Sequence, residues 1–247
     1  MSFLDRMKKT RIARSIVYFI VGVFSYPGIA VINKLKITGG ENLRNLPARN
    51  VLFVSNHQTY FADVITFLHI FCAVKWKRFN RLGFPIYLLN PFTRVNYVAA
   101  GKTMKSSLLS RFFSWAGAIT VKRTWNPDAR DSRKGLNPSD TRNISKALAE
   151  NWVITFPQGT TKPFAPCRKG TAYLIKKSNP TVIPVVIDGF SKAFGKKGLN
   201  LKARGVKLRV TFKEPLRFSG NESLDEIMQV VMDSIEQSER FADPLQA

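Results

Sequence analysis

Short apolar runs of four to seven residues alternate along most of this chain with longer stretches of helical periodicity, an order that calls for an α/β domain. The predicted strands cover residues 35–38, 51–55, 94–99, 118–122, 152–156, 182–187 and 206–212. Helical spacing occupies residues 63–71, 106–115, 140–150 and 171–177 between them, and a closing helix covers 222–240. Because most strands are followed by a helix, the expected sheet is mixed but mostly parallel and flanked by helices. Residues 35–247 form this α/β domain, which is large enough to bury a core without a covalent staple. Cys72 and Cys167 are the only cysteines, far apart in the chain, so neither a disulfide framework nor a zinc cluster is expected and a reducing compartment is the default. Two histidines without an acidic cluster leave no ligand set for a catalytic metal.

Two stretches interrupt the alternation. Residues 124–138 contain Pro127, Gly135 and Pro138 among mixed charges, carry no periodicity, and read as an exposed loop bordering a site. Residues 192–207 are rich in lysine and glycine and read as a basic, loop-like surface.

The first 34 residues differ from the rest. Arg6, Lys8, Lys9, Arg11 and Arg14 precede a run from 15 to 33 that contains no charge, and Lys34 and Lys36 follow it. That run approaches the length of a minimal transmembrane helix, but Gly22, Pro27, Gly28 and Asn33 interrupt it, and Pro27 should kink or break a helix. Residues 1–34 are therefore expected to be a membrane-associating helical segment, half-inserted as a hairpin in one leaflet; a buried core helix is the alternative. The formal charge of +23, from 39 Lys plus Arg against 16 Asp plus Glu, gives the molecule a field that attracts anions. An anionic membrane surface, an acidic carrier protein and nucleic acid all fit that field. The 19 phenylalanines fall mostly inside apolar runs and no nucleic-acid motif is present, so no nucleic-acid partner is expected.

The chemistry of the chain concentrates after the apolar run 51–54, where Ser55-Asn56-His57-Gln58-Thr59-Tyr60-Phe61-Ala62-Asp63 leads into a helix. Ligands bind at the carboxyl ends of strands in open α/β sheets. An Asp that accepts the Nδ1 proton of a neighbouring His fixes its tautomer and leaves the other nitrogen free to take a proton from a hydroxyl. The bland alternative is that Asp63 caps its helix and His57 is an ordinary buried polar residue. His69 lies on an apolar helical run and is assigned a core or surface role.

Asn56-His57 followed by Asp63 resembles the first block of the 1-acylglycerol-3-phosphate acyltransferase family, and further blocks follow in order. Residues 116–123 resemble the second block, Phe156-Pro157-Gln158-Gly159-Thr160 the third and residues 182–186 the fourth. Residues 96–102 resemble a strand of that family ending in a lysine, here Lys102. The resemblance implies an α/β fold preceded by a membrane-binding helical pair, and direct transfer of an acyl chain from a thioester to a hydroxyl. It makes His57 the base and Asp63 its partner, and it gives the acceptor's anionic group to Arg123 and Lys102; Asn56, Gln158, Gly159 and Thr160, from the same blocks, are assigned to substrate binding, and Lys169 joins them on its charge beside a helix start. No cofactor is implied beyond the donor, acyl-CoA or an acylated carrier protein. The acceptor would be lysophosphatidic acid or another lipid, met at the cytoplasmic face of a membrane by a peripheral or monotopic protein.

This chain departs from the pattern twice. Five residues, not the usual four, separate His57 from Asp63, and Gln158 and Thr161 stand where the third block usually has Glu and Arg. Loss of that arginine removes a planar, bidentate phosphate binder, for which Arg168 and Lys169, just before Gly170 and a helix start near Thr171, could compensate. A catalytically inactive lipid-binding protein of the same fold is the alternative.

Overall fold

The computed structural model describes residues 11–100, 116–121, 138–196 and 199–242. Seven strands form one sheet: β1 (Lys34–Thr38), β2 (Val51–Ser55), β3 (Val95–Ala100), β4 (Ala118–Val121), β5 (Trp152–Thr155), β6 (Thr181–Asp188) and β7 (Lys207–Phe212). Their spatial order is β1-β7-β6-β2-β5-β3-β4, and every neighbouring pair is parallel except β6 with β7. All seven expected strands are present, and the sheet is mixed and mostly parallel as the alternation requires.

The centre of the sheet is fully enclosed. Every residue of β2 is buried, and its side chains alternate between two cores. Val51 and Phe53 face a core built with helix α2 (Ala62–Lys75), while Leu52 and Val54 face one built with α3 (Pro138–Glu150), α4 (Lys169–Ser178) and α6 (Leu224–Ser234). A short helix, α5 (Phe190–Ala193), follows β6. α2 is buried at every residue from Ala62 to Ala73, because one side meets the sheet and the other is covered by the N-terminal helix. A helix apolar all round has no periodic stripe to mark its end, which explains why it runs past the expected 71. The closing helix is shorter than expected. A capping box between Ser223 and Glu226 starts it, and it stops at Ser234 just before Glu236 adopts a left-handed φ of 57°. The expected helix 106–115 and all of the expected loop 124–138 but its last residue, which begins α3, lie outside the described residues, as do Lys102 and Arg123.

The N-terminal segment is one continuous helical rod among the described residues, not a hairpin. α1 (Arg11–Tyr26) passes directly into a π-helical turn, Pro27–Ile32. Proline lacks the N–H of the helical ladder and crowds the carbonyl four residues back; widening to the i→i+5 pattern accommodates the ring without reversing the chain. The far end is anchored: Ile29 is fully buried, Asn33 Nδ2–H donates to Gly28 O at 2.9 Å, and Val206 N–H donates to Asn33 Oδ1 at 3.0 Å. One face of α1, including Val17 and Tyr18, joins the core, and Tyr18 O–H donates to Ala116 O at 3.1 Å. The other face exposes Ile12, Ile16, Phe19, Ile20, Val23 and Phe24.

Between α1 and α2 lies a buried polar relay. His69 bonds Ser25 Oγ through Nε2 at 2.9 Å and Tyr87 Oη through Nδ1 at 2.8 Å. This is the core role expected for His69. Burial holds its imidazole neutral, lowering its pKa from 6.5 to about 4. The unfolded chain therefore takes up a proton at this residue before the folded chain does. Its contribution is intact above pH 6.5 and is lost progressively as pH falls from there to about 4. His69→Gln removes that titration while keeping a polar side chain. The acid-side decline of stability between pH 6.5 and 4 should be shallower in this variant, as read from urea midpoints across that range.

Candidate active site

Parallel strands bring their carboxyl ends to one edge, and the ends of β2, β3, β4 and β5 meet around a cavity of about 130 Å³. Val98 and Ala99 come from β3, Val121 from β4, and Thr155 with Phe156 from the end of β5. Phe61, Val64, Ile144 and Leu174 make the wall predominantly apolar, and His57 forms part of it.

His57 and Asp63 meet despite the additional intervening residue. His57 Nδ1–H donates to Asp63 Oδ2 at 2.9 Å. The same oxygen accepts the backbone N–H of Gln58 at 2.6 Å and of Thr59 at 3.0 Å, while Thr59 Oγ1–H donates to Asp63 Oδ1 at 2.6 Å. The loop coils around the carboxylate, and that coil absorbs the extra residue. A carboxylate with no exposed side-chain surface is tolerated in the interior because donors surround it. Asp63 therefore organises its loop and does more than cap a helix.

The imidazole keeps 14% of its side-chain surface open, and its ring stacks on Phe156 with centroids 4.0 Å apart and planes 23° from parallel. With Nδ1 turned to Asp63, Nε2 is the nitrogen available to a substrate, and among the described residues none bonds it. Gln58 secures the outer side of the loop. Its Oε1 accepts from Phe190 N–H at 2.9 Å and Ser191 N–H at 3.2 Å, and its Nε2 donates to Ile187 O at 3.3 Å.

The third block supplies the opposite wall. Gly159, Thr160, Thr161 and Arg168 all line the cavity. Gly159 sits at φ 61°, and a Cβ there would lie 2.6 Å from Arg168 Cζ, so only glycine lets the guanidinium lie against this turn. Arg168 also donates its backbone N–H to Pro157 O at 3.0 Å and occupies the N-cap position of α4.

Three residues expected to bind substrate face elsewhere. Asn56 exchanges two hydrogen bonds with the backbone of Ile187, at 2.9 and 2.8 Å, and so braces β2 against β6. Gln158 is buried and donates to Ala165 O at 3.0 Å and Gln237 Oε1 at 3.2 Å, which tethers its loop to the end of α6. Lys169 turns outward to Asp225 at 2.9 Å. Among the described residues the cation in the wall is thus Arg168, one residue earlier. The only sequence signal for it was its place beside Gly170 at a helix start, which Lys169 shares.

The acyltransferase family model matches residues 34–188, a span that holds β1 to β6 with His57, Asp63 and the third block. No curated protein matches the chain. A solved structure with the same fold is the 1-acyl-sn-glycerophosphate (LPA) acyltransferase PlsC from Thermotoga maritima. The two superpose with a TM-score of 0.55 at 20% identity, over 94% of this chain and 85% of that one. The family match runs through more than half of the sequence and through every strand whose end meets the cavity: this chain belongs to the acyltransferase family.

Proposed function

We propose that this acyltransferase moves a fatty acyl group from an acyl thioester to the hydroxyl of a lysophosphatidic acid-like or other lipid acceptor, at a membrane surface, with His57 as general base and Asp63 as its orienting partner. The observation that carries this reading is the His57–Asp63 pair at 2.9 Å, set in the wall of an apolar cavity. Asp63 holds the proton on Nδ1, so Nε2 presents a lone pair. As the acceptor oxygen attacks the thioester carbonyl, its proton passes to Nε2, and the imidazolium formed is stabilised by the buried carboxylate. Collapse of the tetrahedral adduct breaks the carbon–sulfur bond, and the proton on Nε2 passes to the departing thiolate. The acyl chain moves directly, without a covalent enzyme intermediate.

Arg168 is proposed to hold the anionic group of the acceptor, because a planar guanidinium grips phosphate or carboxylate through two parallel hydrogen bonds. Lys102 and Arg123 remain candidates for the same anion from the resemblance alone. Gly159 and Thr160 shape the wall beside it. Either coenzyme A or an acyl carrier protein suits the basic surface as donor, since both are anionic. The apolar outer face of α1 supports attachment to a membrane, and although the helical stretch Ile12–Ile32 is long and apolar enough to cross one, we read the attachment as peripheral or monotopic, at the cytoplasmic face.

His57→Ala should lower turnover of acyl thioester on a detergent-dispersed acceptor by roughly a hundred- to ten-thousand-fold, the usual contribution of a general base, with an unchanged circular dichroism spectrum. Activity within about threefold of wild type would reject the mechanism. Thr59→Val removes one donor from the buried carboxylate; turnover should fall on the order of tenfold while the acceptor constant stays nearly fixed, as steady-state kinetics would read. Arg168→Ala should raise the apparent constant for a phosphorylated acceptor, Arg168→Lys should recover only part of the loss, and Lys169→Ala should be close to neutral.

A further inference from the structure

α1 is not alone on the apolar surface of this protein. The segment that follows α2 runs alongside α1 in the opposite direction, and three contacts fix the pairing. Tyr26 O–H donates to Gly83 O at 2.8 Å, Gly22 packs against Leu88, and Arg14 Nη1–H donates to Thr93 O at 3.2 Å. Between Tyr26 and Arg14 this spans roughly 18 Å of helix. Along that ribbon Phe84 is 75% exposed and Leu89 72% exposed, next to a helix whose Phe24 is 81% exposed. The turn bearing Phe84 is built rather than loose, because Arg78 Nη1–H donates to the carbonyls of Leu82 at 3.1 Å and Phe84 at 3.0 Å. Single exposed apolar side chains are ordinary, but Phe84 and Leu89 stand beside the exposed apolar face of α1, and such grouping marks a membrane or partner surface.

Charge identifies that partner. No acidic residue occurs between Asp5 and Glu41, or between Asp63 and Asp128, so both elements belong to acid-free stretches. Lys77, Arg81 and Arg94 are exposed along the second one. Arg44 stands over the Phe79 ring, and among the described residues the acid bonded to this ribbon is Glu41, at Asn80; an apolar surface about two elements wide with a mainly cationic rim matches the interface of an anionic bilayer.

We infer that residues 76–89 form a second membrane-docking element, which lies beside α1 and inserts Phe84 and Leu89 into anionic lipid. The inference rests on the membrane-surface reading above and adds an element outside the N-terminal segment. Two inserted side chains contribute apolar burial, while Lys77 and Arg81 contribute attraction that depends on anionic headgroups and weakens with salt.

The test uses the full chain and vesicles of phosphatidylcholine with and without phosphatidylglycerol. Phe84→Ser with Leu89→Ser should weaken partition into the anionic vesicles by about tenfold or more at an unchanged melting temperature, and Lys77→Gln with Arg81→Gln should weaken only the salt-sensitive, anion-dependent part. A bimane label at Leu89→Cys, in a Cys167→Ser background, should shift to the blue on vesicle addition and be quenched by nitroxide lipids, whereas a label at Val230→Cys on α6 should not. Wild-type partition of the Phe84/Leu89 variant together with an unshifted Leu89 label would overturn the inference; if Phe24→Ser still releases the protein, the membrane reading itself survives. No partition of the wild-type chain into either vesicle would remove both.

Discussion

β2 has no face turned to water, and most of the architecture follows from that. A strand buried on both sides must be covered by helices on both sides, which is why α2 packs on one face and α3, α4 and α6 on the other. Polar groups then have one place to gather, the end of the strand, where the chain leaves the sheet. Ser55 closes the strand, Asn56 ties it to β6, and His57 is the first residue with access to the cavity.

The loop that leaves β2 solves an electrostatic problem before it can serve any reaction. A carboxylate without exposed surface would be costly alone, and four donors from three consecutive residues compensate it. Three of those donors hold Asp63 independently of His57, so the imidazole is oriented by a partner that is itself fixed. The same solution explains how the loop tolerates one residue more than the family pattern: the count along the chain matters less than convergence of N–H groups on one oxygen.

The seven strands were legible because short apolar runs bounded by turns have few alternatives, and the His–Asp pair because its two members flank one strand-to-helix junction. Directions of side chains were not legible. Asn56, Gln158 and Lys169 lie within one residue of cavity-lining positions, yet an amide or ammonium reveals nothing in sequence about which way it points. Asn56 answers to the backbone of Ile187, Gln158 to the side chain of Gln237 as well as to nearby Ala165 O, and Lys169 to an aspartate on another helix. Apart from Ala165, those partners come from distant parts of the chain, and local pattern carries no trace of them. The N-terminal rod was misread for a related reason. Proline in isolation predicts a break, but Ile29 and Asn33 anchor the turn after it and keep the axis running.

Among the described residues β1 has a single neighbour, β7, and the two are parallel, with Lys34 opposite Lys207. On a ribosome, the first strand to emerge must therefore wait until nearly the whole polypeptide has been made before its ladder can close. Gln237 imposes a similar delay, since its side chain completes the loop that carries Gly159 and Arg168. Contacts of such long sequence separation are slow to form. A nascent chain halted before residue 207 would carry an unpaired edge at β1, so its early products are those most in need of protection from one another.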